Sequence, residues 1–237
     1  MRAKFGIAVM LLAACGGSDR AAKARPAPVE STTGAARGAT AAEEAPGRPS
    51  APRVLFIGTS LTAGYGLDDP GRDAYPAVIQ RLADSAGVKA FVVNAGLSGE
   101  TSAGALRRVD WLLKEKPDVV VIETGANDGL RGLNPDSTAG NIRQIIGRIR
   151  AVNPAAGIVL VQMEAPTNLG PAYTRAFHAL FGKVAVDEKV TLSPFLLDHV
   201  GGIARLNQGD GIHPTAEGAR IAAHNLWPSL RAVLLKR

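Results

Sequence analysis

Five short apolar runs, spaced so that a helix fits between successive ones, constrain this 237-residue chain more than any other feature. Parallel strands covered on both faces read as near-continuous apolar runs and not as alternating patterns. The first covers Arg53–Ile57 and stops at Gly58. The others cover Lys89–Asn94, Val119–Glu123, Ile158–Gln162 and a weaker Val190–Phe195. Between them the period changes to that of a helix. Val78, Ile79 and Leu82 mark a helix over Ala74–Ser85 that stops near Gly87, and Thr101–Lys114 reads as another, its connection ended by Pro117. Ile142, Ile145, Ile146 and Ile149 form a third stripe, one face of a helix. Helices over Tyr173–Glu188 and Thr215–Leu235 complete the series. The expected fold is α/β: three α/β/α layers, flavodoxin-like, with about five mostly parallel strands. Ligands of such sheets bind outside the carboxyl ends of the strands, so the residues that follow each strand are where chemistry is expected.

The domain is expected to span residues 52–237, because the preceding segment has a different character. Arg2 and Lys4 precede an apolar run, Phe5 to Leu12, which is followed by Leu12-Ala13-Ala14-Cys15. Such a run is too short to span a hydrocarbon core, which takes roughly 20 apolar residues, and it has the layout of an export signal. It resembles the signal of bacterial lipoproteins, with Leu-Ala-Ala-Cys as the lipobox. The resemblance implies cleavage after residue 14, acylation of Cys15 and a membrane anchor on the periplasmic side. Gly16, where an Asp would retain the protein, favours the outer membrane. The alternative is an ordinary signal peptide with a chance cysteine. Residues 15–51 are dominated by Ala, Gly, Pro, Ser and Thr, a composition that cannot bury enough surface to offset its ordering entropy, and they read as a disordered tether. Cys15 is the only cysteine, so no intramolecular disulfide can form.

The net charge of +6 does not indicate a nucleic-acid partner. Seven of the 27 Lys/Arg and four of the 21 Asp/Glu lie in residues 1–51, and no block of five like charges occurs after them. A nucleic-acid surface normally shows a clustered basic stripe. No Cys/His set has zinc-ligand spacing, and no metal or organic cofactor is expected.

Four segments stand where chemistry is expected. Gly58-Thr59-Ser60-Leu61 follows the first strand, Asn94-Ala95-Gly96-Leu97-Ser98-Gly99-Glu100-Thr101 the second, and Gly125-Ala126-Asn127-Asp128 the third; Asp210-Gly211-Ile212-His213-Pro214 precedes the last helix. Ser60 lies in a glycine-flanked turn that presents a hydroxyl at the sheet edge, although a serine there could equally cap the next helix. Of four histidines, His178 and His224 fall within expected helices and His199 in an irregular stretch. His213 differs, since Asp210 three residues earlier can reach its Nδ1 and leave Nε2 free. Asp210 between two glycines is also an ordinary turn residue, as Asn127 is by itself.

Together these segments resemble the SGNH (GDSL-type) hydrolases, especially the small lysophospholipase, thioesterase and arylesterase group, with the family's blocks in order through nearly all of residues 53–235. The resemblance implies a serine esterase acting on short- to medium-chain acyl esters, or thioesters, through an acyl-enzyme. It gives the roles of nucleophile, base and orienting acid to Ser60, His213 and Asp210. It makes the Ser60 N–H, Gly99 and Asn127 the oxyanion donors. Two positions depart from the family pattern: Thr59 stands where Gly-Asp-Ser-Leu has its acid, and Ala126 where a second glycine is usual. Neither carries a catalytic role, but the hydrogen bonding around Thr59 must differ. Gly-x-Ser-x-Gly is absent, which excludes a nucleophile-elbow hydrolase, and neither a P-loop nor GxGxxG occurs. The rival readings are a carbohydrate or peptidoglycan O-acetylesterase and, in another class, a non-catalytic ligand-binding lipoprotein.

Overall fold

The computed structural model describes residues 51–237. The lipobox, Cys15 and nearly all of the expected tether lie outside the described residues.

The apolar runs form five strands: β1 (Arg53–Gly58), β2 (Phe91–Gly96), β3 (Val119–Ile122), β4 (Gly157–Gln162) and β5 (Thr191–Phe195). All pair in parallel, in the order β2-β1-β3-β4-β5. Chain order reverses between β1 and β3, so the loops leaving these two strands diverge and open a crevice above the carboxyl edge. The burial explains the apolar runs, because every residue of β3 is fully buried. β2 begins two residues later than expected, since its register starts at Arg53↔Phe91.

Among the described residues eight α-helices connect and cover the sheet: α1 (Ser60–Ala63), α2 (Pro70–Asp73), α3 (Tyr75–Ser85), α4 (Ser102–Leu112), α5 (Ala126–Leu130), α6 (Pro135–Val152), α7 (Pro171–Asp187) and α8 (Ala216–Leu234). On one face of the sheet α3 packs against α8; on the other α6 lies between α4 and α7. The long helices have clear local causes. In α6, Pro135 starts the first turn, the Asn134 side chain accepts the Asp136 N–H, and the four stripe isoleucines are buried. Thr101 caps α4 and Thr215 caps α8 in the same way. The short helices α1, α2 and α5 were not expected from periodicity, because four or five residues do not complete a pattern.

Candidate active site

Ser60 is the first residue of α1, directly above the end of β1. Its hydroxyl does not cap this helix. Ser60 Oγ instead lies 2.9 Å from Nε2 of His213, 153 residues away. The other ring nitrogen, Nδ1, is 2.6 Å from Asp210 Oδ2. Asp210 Oδ1 accepts the backbone N–H groups of Ile212 (2.9 Å) and His213 (3.0 Å), a tight turn that sets the carboxylate against the ring. The hydrogen bond from the His213 ring, followed by those from the two N–H groups, holds the Asp210 carboxyl well below the usual carboxylate range.

The His213 loop is tied down independently of Ser60. Asn207 and Pro214 form an antiparallel bridge, and Gln208 N–H donates to His213 O at 2.7 Å. Gln208 Nε2 also donates to Pro214 O and, across the cleft, to Tyr65 O at 2.8 Å. The Tyr65 ring lies 4.8 Å from the His213 ring, centroid to centroid. Gln208 and Tyr65 are site residues with no signature in the sequence, since their role depends on a contact 143 residues long.

Gly99 and Asn127 face the same cleft as Ser60. Gly99 has φ +77°, a left-handed conformation open to glycine without strain. Among the described residues its N–H has no protein acceptor. Asn127 lies in the first turn of α5 and not in a plain turn. One of its two amide hydrogens goes to Glu100 O at 3.0 Å, which fixes the amide plane and leaves the other free. The Gly99 loop is braced from below by Arg108, which pairs with the buried Glu100 at 2.6 Å and donates to Ala95 O. Asp128 points away from the cleft and accepts from Ser102 and Thr138. The cleft, about 1100 Å³, is walled by Leu61, Met163, Pro166, Phe195, Leu197 and Ile212, and is predominantly apolar.

Beneath the Ser60 turn lies a buried acid, Glu123, which closes the third apolar run of the sequence. Glu123, fully buried, accepts the Thr59 N–H at 2.8 Å, and Thr59 Oγ1 lies 3.0 Å from both carboxylate oxygens. Thr62 Oγ1 donates to Glu123 Oε2 at 2.9 Å and lies 2.6 Å from Tyr75 Oη. The Thr59 departure is thus accommodated by a hydroxyl donor facing a carboxylate. Gly58 is obligatory here, because a Cβ would sit 1.9 Å from Thr62 Oγ1 and 2.8 Å from Glu123 Oε2. Burial pushes the Glu123 carboxyl up from 4.5 to about 7, against the hydrogen bonds that favour its ionised form.

Comparison with known proteins agrees with this arrangement of elements. Residues 56–221 match the GDSL-like lipase/acylhydrolase family. The chain is 42% identical to the esterase TesA of Pseudomonas aeruginosa over 187 residues, covering 78% of this chain and 90% of that protein. It is 39% identical over 169 residues to the thioesterase 1/protease 1/lysophospholipase L1 of Escherichia coli strain K12, covering 71% and 78% of the two chains. A crystal structure of TesA superposes with a TM-score of 0.72 at 40% identity, covering 76% of this chain and 99% of that one. With a family match through most of its described length, the chain belongs to the GDSL-like lipase/acylhydrolase (SGNH) family and is a carboxylic ester hydrolase.

Proposed function

We propose that the protein hydrolyses short- to medium-chain acyl esters or thioesters by a two-step acyl transfer at Ser60. The unbroken line of hydrogen bonds from Ser60 Oγ through His213 to Asp210 carries this reading. A serine hydroxyl is a weak nucleophile until a base takes its proton as it attacks. His213 Nε2 is placed to take that proton. Asp210, ionised well below neutrality, fixes the tautomer with hydrogen on Nδ1 and stabilises the imidazolium that forms. The tetrahedral oxyanion is met by the Ser60 and Gly99 N–H groups and the free Asn127 hydrogen. One donor of this kind contributes about 2.7–4 kcal/mol to the transition state. His213 then passes its proton to the departing alcohol or thiol, and water, activated by the same imidazole, releases the acid. The apolar cleft wall supports an acyl chain as the bound half of the substrate, and so favours acyl esters over acetylated sugars.

We further propose that the mature protein is exported and carried on the periplasmic side of the outer membrane by lipid on Cys15, leaving residues 16–51 as the tether. Labelling with a radioactive fatty acid that is lost in Cys15→Ala would support this. Unchanged membrane association of that variant would overturn it.

Replacement of Ser60 by Ala in the purified protein is expected to reduce p-nitrophenyl butyrate turnover by at least about 10³-fold. Turnover within tenfold of wild type would reject Ser60 as nucleophile. An acyl-chain series assayed beside acetylated sugars separates the acyl-esterase reading from the O-acetylesterase one.

A further inference from the structure

Glu123 takes no part in the steps above, yet it holds the backbone on which Ser60 stands. It leaves β3 next to β1, where its own N–H donates to Ile57 O at 2.8 Å. Its carboxyl then lies under the Gly58-Thr59 peptide, one residue before Ser60. The four groups facing it, the N–H groups and the hydroxyls of Thr59 and Thr62, are all arranged as donors. Tyr75 Oη completes the line by facing Thr62 Oγ1.

The protons in this knot can be counted. With Glu123 ionised, Tyr75 donates to Thr62, Thr62 donates to Glu123, and Thr59 donates twice to Glu123, so every hydrogen has an acceptor. A carboxylate is acceptor-only, which suits a site of donors. With Glu123 protonated, its new O–H can find an acceptor only by turning a hydroxyl around. If Thr62 accepts it, the Thr62 hydrogen must go to Tyr75 Oη. The Tyr75 hydrogen then has no partner at a site only 1% exposed. If Thr59 Oγ1 accepts it, Thr59 no longer donates. Either route leaves a buried donor unpaired or frees Thr59, and an unpaired buried donor is costly.

We propose that Glu123 is a positioning residue for Ser60: as a carboxylate it anchors the Thr59 N–H and hydroxyl, and on taking up a proton it releases the nucleophile turn, so that turnover falls. This rests on the reading of Ser60 as nucleophile. The titratable and charged groups around the carboxyl are few. From α3 comes Tyr75, which burial and the Glu123 charge hold above its ordinary value, so that it stays neutral. From α4 comes Arg108, which touches Gly58 O at 3.4 Å but is paired with Glu100. From the loop before α8 comes His213, on the far side of Ser60. Among the described residues no cation pairs with Glu123 directly. Its burial places its titration near neutrality, and its proton uptake there adds to the separate requirement that His213 be neutral to act as a base.

The test is the pH profile of kcat/KM for p-nitrophenyl butyrate, a substrate that does not titrate. In the wild type the acid limb is expected to steepen toward the loss of two protons. In Glu123→Gln it should fall with one, kcat at pH 8 should drop about tenfold, and KM should stay within about twofold. A one-proton limb in the wild type, superposable on that of the variant, would overturn the proposal. Should Glu123→Gln fail to fold, the conservative pair Thr59→Val and Thr59→Ser carries the test. Valine removes one donor to the carboxylate and should move the acid limb to higher pH, and serine should restore it; an unmoved limb in Thr59→Val overturns the proposal. Ser60→Ala run alongside separates the two failures. Activity lost in Ser60→Ala with an unaltered Glu123→Gln profile rejects only the positioning role, whereas activity retained in Ser60→Ala rejects the nucleophile itself.

Discussion

Two carboxylates serve the Ser60 turn from opposite sides, and their surroundings push them in opposite directions. Asp210 stands on an exposed loop and is held ionised by hydrogen bonds, first from the His213 ring and then from two backbone N–H groups. Glu123 also accepts hydrogen bonds from four groups, yet burial outweighs them and its titration moves up to about 7. Desolvation disfavours the charged form while hydrogen bonds favour it, and at Glu123 the first is the larger effect. The loop therefore supplies a permanent charge, and the interior supplies one that comes and goes near neutrality.

Asp210→Asn attacks the exposed member of this pair and is expected to have the largest effect. The asparagine keeps the size of the side chain but can present an N–H to His213 Nδ1, which favours the tautomer with hydrogen on Nε2 and so blocks proton transfer from Ser60. A fall in kcat of roughly 10³–10⁴ with little change in folding is expected. A loss under about tenfold would show that the 2.6 Å contact does not set the tautomer.

The next effect is on stability and distinguishes the two acids by sign. Asp210 has a lowered pKa in the folded chain, so its stabilisation is present above 3.8 and is lost as pH falls below that value. Glu123 has a raised pKa, so the native state binds more protons than the unfolded chain between 4.5 and about 7. Stability must fall as pH rises through that window. A shift from 4.5 to about 7 corresponds to roughly 3 kcal/mol. Urea unfolding of wild type and Glu123→Gln from pH 4.5 to 8 should show the wild type losing about that amount of stability relative to the variant as pH rises. A constant difference would mean that the carboxyl does not titrate in the folded protein.

The two acids also differ in how far the sequence reveals them. Asp210 and His213 are three residues apart, so a spacing along the chain already states a contact in space. The same holds for the strands, whose apolar runs and intervening stripes report burial directly, and for Ser60, which follows a strand. Glu123 meets Thr59 across 64 residues through the pairing of β1 with β3, and nothing local in Val119–Glu123 says which neighbour the acid will find. The one available signal was a charged residue closing an otherwise apolar strand, beside an unusual Thr59 in the first block. Asn127 was legible as a residue at a strand end but not as part of α5, because a five-residue helix shows no period.

Gln208 joins the exposed and buried regions, and its replacement should give the smallest effect. Its Nε2 donates to Pro214 O on the His213 loop and to Tyr65 O just after α1, so one amide spans both sides of the Ser60–His213 contact. Removing it leaves the Tyr65 carbonyl accessible to water, since Gln208 is only partly buried and Tyr65 is exposed, whereas Pro214 is buried. Water can replace much of what is lost, so Gln208→Ala should cost stability only about 1 kcal/mol. Its effect on turnover should come from a looser His213 loop, lowering kcat about tenfold. Because the amide touches neither acid, the acid limb of the pH profile should keep its wild-type shape. A shifted limb would show that the two carboxylates are coupled through the loop and do not act on Ser60 independently.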